Sequence, residues 1–327
     1  MTSLTLMAQE IQQAPAVVAR QLVANRTLGA ALGERLRRLD PPVARGSSDH
    51  AATFAKYLIE TVLGMPTASA GLSVAFLYRR PQRLQGTLVL VISQSGKSPD
   101  LVHYAETARA AGALVVALVN VTDSPLAAAA EVVLPLHAGP ERSLVATKSF
   151  VASLAALLQL VAAWSADPAL AAALEALSEP LENTLHLDWS APLADLVSAR
   201  DLLVIGRGLG FAIAQKAALK LKETSALQAE AFSAAEVMHG PLALVEPDYP
   251  ILAFRQGDAT EGSVASAVAL LRDKGAQVCA AEPGPAAAGH RPLPQILGFY
   301  RLAEALARAR GRDPDRPPHL HKVTEPR

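Results

Sequence analysis

The residues best suited to chemistry are those of a short polar stretch, Ser93-Gln94-Ser95-Gly96-Lys97-Ser98, which directly follows the apolar run Leu88–Ile92. The run is typical of a buried strand, and Pro99 favours the start of a helix. Free backbone N–H groups and the positive end of the helix dipole suit such a turn to a phosphate. Because the stretch lacks the Gly-Lys-Ser/Thr ending of a nucleotide P-loop, hydroxyl groups rather than a lysine would bind the anion. An ordinary polar turn with a helix cap is the alternative interpretation.

Two further segments carry residues that can move protons. Glu223 ends the segment Lys220-Leu221-Lys222-Glu223, and His239 precedes Gly240-Pro241. A carboxylate with apolar neighbours can act as a general base, and imidazole exchanges protons near neutral pH. Taken alone, Glu223 also fits a surface helix position beside two lysines, and His239 also fits a turn.

Composition and spacing argue against several other functions. Thirty basic residues balance thirty acidic ones, so no basic stripe indicates nucleic-acid binding. Cys279 is the only cysteine and lies in an apolar run, which favours a buried strand residue over a nucleophile or a zinc ligand.

His319 and His321 have no carboxylate at metal-ligand spacing. The Gly-x-Gly-x-Gly of residues 206–210 fits a tight strand-to-helix turn better than a dinucleotide site. We therefore expect no metal and no cofactor.

The N-terminus lacks a leader pattern, and the apolar residues 151–164 are too few to span a membrane. We expect a soluble, cytoplasmic protein without a membrane partner.

The elements that must position these residues follow an α/β plan that occurs twice. Residues 5–38 are predicted to be helical with a break at Pro15, and a linker is predicted at 166–192. Strands alternate with helices on both sides of the linker, which indicates parallel sheets with right-handed crossovers. The predicted strands are Val43-Ala44, Leu88–Ile92, Leu114–Val119, Val132–Leu136, Leu202–Ile205, Pro250–Phe254 and Ala276–Ala280. The predicted helices are 51–62, 99–111, 149–164, 212–224, 260–274 and 295–310.

Six motifs, in order along the chain, resemble those of the sugar isomerase (SIS) family. They are Arg45-Gly46-Ser47-Ser48, the stretch 93–98, Ala146-Thr147-Lys148-Ser149-Phe150, Lys220–Glu223, the segment 236–244, and His319-Leu320-His321-Lys322-Val323-Thr324-Glu325. The chain is most similar to the isomerase half of glucosamine-6-phosphate synthases and to stand-alone glucosamine-6-phosphate deaminases of that fold. The resemblance implies two tandem SIS-type domains, each a three-layer α/β/α unit, with bounds expected at 1–175 and 176–327.

The resemblance also implies roles for individual residues. Glu223 would move a proton between C1 and C2 of the open-chain sugar, and Lys220 would tune its charge or bind substrate. His239 would open the sugar ring in the active site of the neighbouring subunit, so the partner would be a second copy of the chain. Lys322 would meet the carbonyl end of the sugar. The residues implied in phosphate binding are Ser48, Ser93, Gln94, Ser95 and Ser98. Ala146 stands where the family has a sugar-contacting serine, so substrate contacts are expected to differ there.

The reaction we expect is deamination of glucosamine 6-phosphate to fructose 6-phosphate and ammonia, because the resemblance does not extend to the ammonia-releasing half of the synthases. One alternative is another phosphosugar isomerase, or a deglycase of an amine-linked sugar phosphate, with a different pocket near Ala146 and Arg142. A second alternative is a non-catalytic sugar-phosphate sensor, which the combination of Glu223, His239 and Lys322 disfavours.

Overall fold

The described residues form two parallel sheets, and the first has five strands in the order β2-β1-β3-β4-β5. The computed structural model describes residues 4–39, 43–45, 49–282 and 288–320. β3 and β4 are buried along their full length, as continuous apolar strands covered on both faces should be. The strands are β1 Val43–Arg45, β2 Thr67–Ser69, β3 Leu88–Ser93, β4 Leu114–Val119 and β5 Val132–Pro135.

The second sheet has four parallel strands in the order β7-β6-β8-β9. The paired strands of both sheets run parallel. Within each sheet, the carboxyl ends of the strands therefore lie at the same edge. The strands are β6 Asp201–Gly206, β7 Gln228–Ser233, β8 Pro250–Phe254 and β9 Gln277–Ala281.

Helices flank both sheets and bury their apolar faces against them. The helices are α1 Leu6–Ala24, α2 Arg26–Leu39, α3 Asp49–Leu63, α4 Leu72–Phe76, α5 Pro99–Ala110, α6 Pro125–Ala129, α7 Lys148–Ser165, α8 Pro168–Glu175, α9 Ser178–Thr184, α10 Leu193–Ser198, α11 Leu209–Ser225, α12 Glu261–Asp273 and α13 Pro292–Ala309. In the first sheet, Tyr104 and Ala105 of α5 pack on Val89 and Val91 of β3. In the second, Val264 of α12 belongs to the same core as the β6 residues. The predicted α/β architecture with parallel sheets is confirmed.

The described residues fall into two compact units, and the division is not a single cut in the sequence. One unit comprises Ala16–Glu141 and Lys148–Glu175 and holds the first sheet. The other comprises the described residues of 4–15, Arg142–Thr147 and Ala176–Leu320 and holds the second sheet.

Two predictions about elements were wrong, and two strands were missed. Pro15 does not break the first helix, because α1 runs through it to Ala24 and the interruption lies at Asn25. Burial of Ile11, Ala14 and Val18 on the same helix offsets the missing N–H of the proline. The predicted linker contains α8 and α9. The edge strands β2 and β7 were not predicted, since β2 has only three residues and β7 exposes Gln228 and Glu230.

In the described part of the chain, α7 alone is long and apolar enough to cross a membrane by length and composition. Its window is 83% buried inside the fold, which is how a core helix behaves.

Candidate active site

The serine stretch forms a tight turn between β3 and α5, and its hydroxyls accept hydrogen bonds from the turn itself. Ser93, the last residue of β3, is buried, and its Oγ accepts the N–H of Gly96 at 3.0 Å. The Oγ of Ser95 accepts the N–H of Lys97 at 3.3 Å. A hydroxyl that accepts from the backbone keeps its own proton to donate. Both hydroxyl groups therefore retain a proton that they can donate.

The turn requires a glycine and is held by the neighbouring β4–α6 loop. Gly96 has φ +65°, and a Cβ there would lie 2.2 Å from the Oγ of Ser124. The N–H of Leu126 donates to the Gly96 carbonyl at 3.0 Å, and the N–H of Val121 donates to the Gln94 carbonyl at 3.3 Å. The backbone of the turn is therefore fixed before any ligand arrives.

Ser98 occupies the N-cap position of α5, but its side chain makes no capping hydrogen bond. The alternative interpretation of this residue as a side-chain helix cap thus does not hold. Gln94, Ser95 and Ser98 are half-buried, whereas Lys97 is exposed. The turn offers partly accessible polar groups, and its lysine extends toward solvent.

The loop before α7, which carries Ala146, is held by two buried acids that sequence reasoning missed. The carboxylate of Glu10 accepts the N–H groups of Arg142 and of Ser143, the latter at 3.3 Å. The carboxylate of Glu141 accepts the N–H of Ser149 at 3.1 Å in the first turn of α7. The burial of Glu10 could have been predicted from its spacing to Met7, Ile11 and Ala14, which lie on the buried face of α1. Ala146 is half-buried in this loop.

Glu223 lies near the end of α11 and forms an ion pair with Lys220, one turn earlier. The Nζ of Lys220 lies 2.9 Å from the Oε2 of Glu223, and the two side chains are 0% and 21% exposed. The same Nζ lies 5.7 Å from the centroid of the Tyr300 ring, in the range of a cation–π contact. Glu223 is thus reachable from solvent and has an ammonium partner, where the sequence suggested apolar neighbours.

The glycine run before α11 forms the predicted tight turn. Gly206 ends β6, and a Cβ on it would lie 2.3 Å from the carbonyl oxygen of Gly210. Gly208 has φ +57° and precedes the first residue of the helix. The glycines therefore let the helix start directly on the end of the strand.

His239 is exposed between two 3₁₀ segments, Glu236–Met238 and Gly240–Leu244. Its N–H donates to the Glu236 carbonyl at 3.0 Å, and its own carbonyl accepts the N–H of Leu242 at 3.3 Å. The backbone is thus anchored while the ring faces away from the buried core.

Two candidate residues, Ser48 and Lys322, lie outside the described residues. Across the parts of the chain that are described, no cluster of three or more His, Cys, Asp or Glu residues could hold a metal ion.

Comparison with known proteins places this α/β fold and its serine turn in one family. Residues 43–163 and 195–281 match the SIS domain, and the chain belongs to that family.

Among curated relatives, the glutamine–fructose-6-phosphate aminotransferase [isomerizing] of Leifsonia xyli subsp. xyli is 34% identical over 97% of this chain and 58% of its own length. The chain therefore spans little more than half the length of this relative.

Two solved structures show the same fold. A provisionally assigned phosphosugar isomerase from Silicibacter pomeroyi DSS-3 is 41% identical, with a TM-score of 0.91 over 95% of this chain and all of that chain. Glucosamine-6-phosphate deaminase from Thermotoga maritima has a TM-score of 0.82 at 21% identity, over 98% of this chain and all of that chain. The second likeness is one of fold alone.

Proposed function

We propose that the protein is a phosphosugar isomerase-type enzyme that converts glucosamine 6-phosphate and water to fructose 6-phosphate and ammonia. The observation that carries this proposal is the ion pair of Lys220 and Glu223 on α11, at the position where the SIS family resemblance predicts a proton-transferring carboxylate. The names of the relatives, which refer to phosphosugars and to fructose 6-phosphate, support the substrate class.

The chemistry needs a base that can reach C2 and return the proton to C1. Glu223 would take the C2 proton of the open-chain aminosugar, which gives an enolamine, and would deliver it to C1. The amino group gives up one proton and the aldehyde oxygen gains one, so that C1 becomes an alcohol carbon and C2 becomes an imine. Water then adds to the imine, which releases ammonia and leaves the ketone of fructose 6-phosphate. The partial exposure of Glu223 suits contact with a substrate, and the ion pair with Lys220 at 2.9 Å orients the carboxylate.

The phosphate would bind at the turn between β3 and α5. The Oγ atoms of Ser93 and Ser95 accept backbone N–H groups, so their protons remain available to phosphate oxygens. Ser98 adds a hydroxyl that capping does not use, and Gln94 adds an amide. Ser48 and Lys322, outside the described residues, keep the roles that the resemblance implies.

Ring opening would fall to His239 acting on the site of a partner chain, in a homodimer. Its exposed position, on a turn with an anchored backbone, supports a role toward a second molecule. The two segments matched to the SIS domain also support two tandem SIS-type domains, and the bounds 1–175 and 176–327 stay a prediction.

A second candidate is isomerisation of a phosphosugar without loss of ammonia. The alanine at position 146, where the family has a serine, favours a substrate whose contacts differ at this loop. Proton transfer between C1 and C2 is common to both reactions, so Glu223 would serve either one.

The test is a panel of hexose and aminohexose 6-phosphates, with ammonia release and ketose formation measured on the same samples. We expect equal amounts of ammonia and ketose from glucosamine 6-phosphate. Ketose without ammonia from another sugar phosphate would establish the second candidate. Tight binding of sugar phosphates with neither product would indicate a sensor.

A further inference from the structure

A cavity of about 710 Å³ lies between α4, the segment that follows it, and one face of α5. We name it the α4–α5 cavity. It is lined by Phe76, Arg79, Arg80, Gln82, His103 and Tyr104, with small alanines between them. The volume lies within the range of sites that bind small molecules, about 300–1,000 Å³.

The α4–α5 cavity is separate from the serine turn. Helix α5 starts beside that turn at Pro99, and the cavity is lined by residues 103–111 of the same helix. The end of α5 reaches the opposite edge of the sheet, where the N–H of Gly86 donates to the Gly112 carbonyl at 3.1 Å just before β3. The cavity lining begins one turn into α5 at His103 and includes no residue of the serine turn, which precedes the first residue of the helix.

One part of the cavity is apolar and aromatic. The rings of Phe76 and His103 meet edge to face, with centroids 5.7 Å apart. Tyr104 is buried, and its hydroxyl donates to Gln82 at 3.4 Å, which fixes the tyrosine ring. Alanines at 75, 108 and 111 leave room beside these rings. A planar group fits such a compartment.

The other part carries the positive charge of two arginines. Arg79 and Arg80 are exposed at the rim, and within the described residues neither side chain makes an ion pair or a hydrogen bond. The N–H of Arg80 is anchored on the Val74 carbonyl at 3.1 Å. Arg79 has φ +50°, a costly conformation for a non-glycine residue and one that clusters at ligand sites. Guanidinium groups bind phosphate through paired hydrogen bonds.

We propose that the α4–α5 cavity binds an organic phosphate that carries a planar aromatic group. The phosphate lies on Arg79 and Arg80, and the ring lies among Phe76, His103 and Tyr104. This site is independent of the reaction proposed above, and α5 links it directly to the serine turn.

The probe is 1-naphthyl phosphate, titrated into the full chain by calorimetry, with inorganic phosphate and 1-naphthol as single-part controls. We expect 1-naphthyl phosphate to bind at least tenfold more tightly than either control. The double variant Arg79→Asn/Arg80→Gln should weaken binding at least tenfold, since asparagine tolerates the left-handed conformation at position 79. The control Arg109→Gln, on another face of α5, should leave it unchanged.

A second pair of variants tests the aromatic part without removing charge. Thr107 is exposed and lines the cavity, so Thr107→Trp should fill it and weaken binding at least tenfold, whereas Glu106→Trp should not. Melting temperatures establish that each variant is folded.

Three results would overturn the proposal. The first is no binding of the probe at millimolar concentration. The second is binding that survives both the arginine variant and Thr107→Trp. The third is binding that is lost in Ser93→Ala/Ser95→Ala, because that would place the probe at the serine turn.

Discussion

Lys220 and Glu223 form an ion pair, and this pairing decides which substitution tests Glu223 as the general base. Lys220 is completely buried, so its ammonium needs a partner. Removing the carboxyl group altogether would leave that charge unpaired, at a cost of about 3–5 kcal/mol. Glutamine retains an oxygen that can accept from Lys220 but cannot take a proton from carbon. It therefore separates the chemical role of Glu223 from its structural one.

We expect Glu223→Gln to lower kcat by about 10²–10⁴-fold, the usual contribution of a general base, with little change in KM. The measurement is steady-state kinetics on the substrate found in the panel, together with the melting temperature. Lys222→Gln is the matched control, because Lys222 is exposed on the same helix. Retention of half the wild-type turnover by Glu223→Gln would remove Glu223 from the mechanism.

Ser95 allows a test of phosphate binding with little effect on the fold, because it is half-buried and its one backbone hydrogen bond is long, at 3.3 Å. We expect Ser95→Ala to raise KM about tenfold or more, since a hydrogen bond to a charged group contributes about 1.5–3 kcal/mol. The exposed Ser73→Ala serves as control. An unchanged KM in a folded variant would mean that the phosphate binds elsewhere.

At the scale of elements, apolar runs predicted the buried strands and two of the edge strands, β5 and β9, but missed the edge strands β2 and β7. β3 and β4 follow from the continuous Leu and Val runs that burial on both faces demands. β7 has the sequence Gln228–Ser233 with half of its residues polar, and only pairing with β6 makes it a strand. The run of α1 through Pro15 likewise depends on tertiary packing that local propensity does not contain.

In the candidate site, too, some features could be predicted from local sequence and others could not. Local sequence placed the serine turn and the glycine turn, because their backbone conformations require particular residues. It did not reveal Glu10, whose partners at positions 142 and 143 are more than 130 residues away. Nor did it reveal Tyr300 beside Lys220, a contact between α13 and α11. Contacts distant in sequence carry no local signal.

Two glycines with nearly equal φ separate backbone strain from close packing. Gly64 has φ +68°, and a Cβ on it would meet nothing within 4 Å. Gly96 has φ +65°, and a Cβ on it would lie 2.2 Å from the Oγ of Ser124. We expect Gly64→Ala to cost about 1–2 kcal/mol of unfolding free energy from the left-handed backbone alone. Gly96→Ala should cost clearly more, as measured by urea unfolding.

The contact with Ser124 supplies the control. Ser124→Gly removes the two nearest atoms that a Cβ at position 96 would meet and leaves Cγ2 of Val119 at 3.0 Å, so the double variant Gly96→Ala/Ser124→Gly should recover part of the loss. Equal costs for the two alanine variants would show that the β4–α6 loop moves aside without penalty.

At the scale of the whole molecule, His290 links stability to pH. It is buried, and desolvation lowers its pKa from 6.5 to about 4. Between these values the unfolded chain binds a proton that the folded chain does not, so the free energy of unfolding falls as pH drops from 6.5 to 4. The full loss is on the order of 3 kcal/mol.

The measurement is urea unfolding at several pH values for the wild type and for His290→Leu. The variant should lose less stability over this interval than the wild type does, whereas His186→Leu, at an exposed histidine, should behave like the wild type. Parallel pH profiles for His290→Leu and the wild type would contradict the assignment.

A homodimer with shared sites makes a quantitative prediction about mixtures of inactive chains. If His239 acts on the partner's site, Glu223→Gln and His239→Ala chains complement each other. A mixed dimer then has one site with both substitutions and one site with neither. Random exchange of equal amounts makes about half of the dimers mixed, so about a quarter of the wild-type activity should return, as two-fold symmetry requires.

Subunit exchange must be demonstrated on the same samples, by mass spectrometry of differently tagged chains. Two copies of the same inactive variant, tagged and mixed in the same way, are the control and should remain inactive. A turn that holds His239 exposed with its backbone anchored favours complementation, because the ring does not have to leave a buried position to reach a second chain. If exchange is complete and the mixture stays at the level of the single variants, His239 serves its own chain, and the active site is not shared.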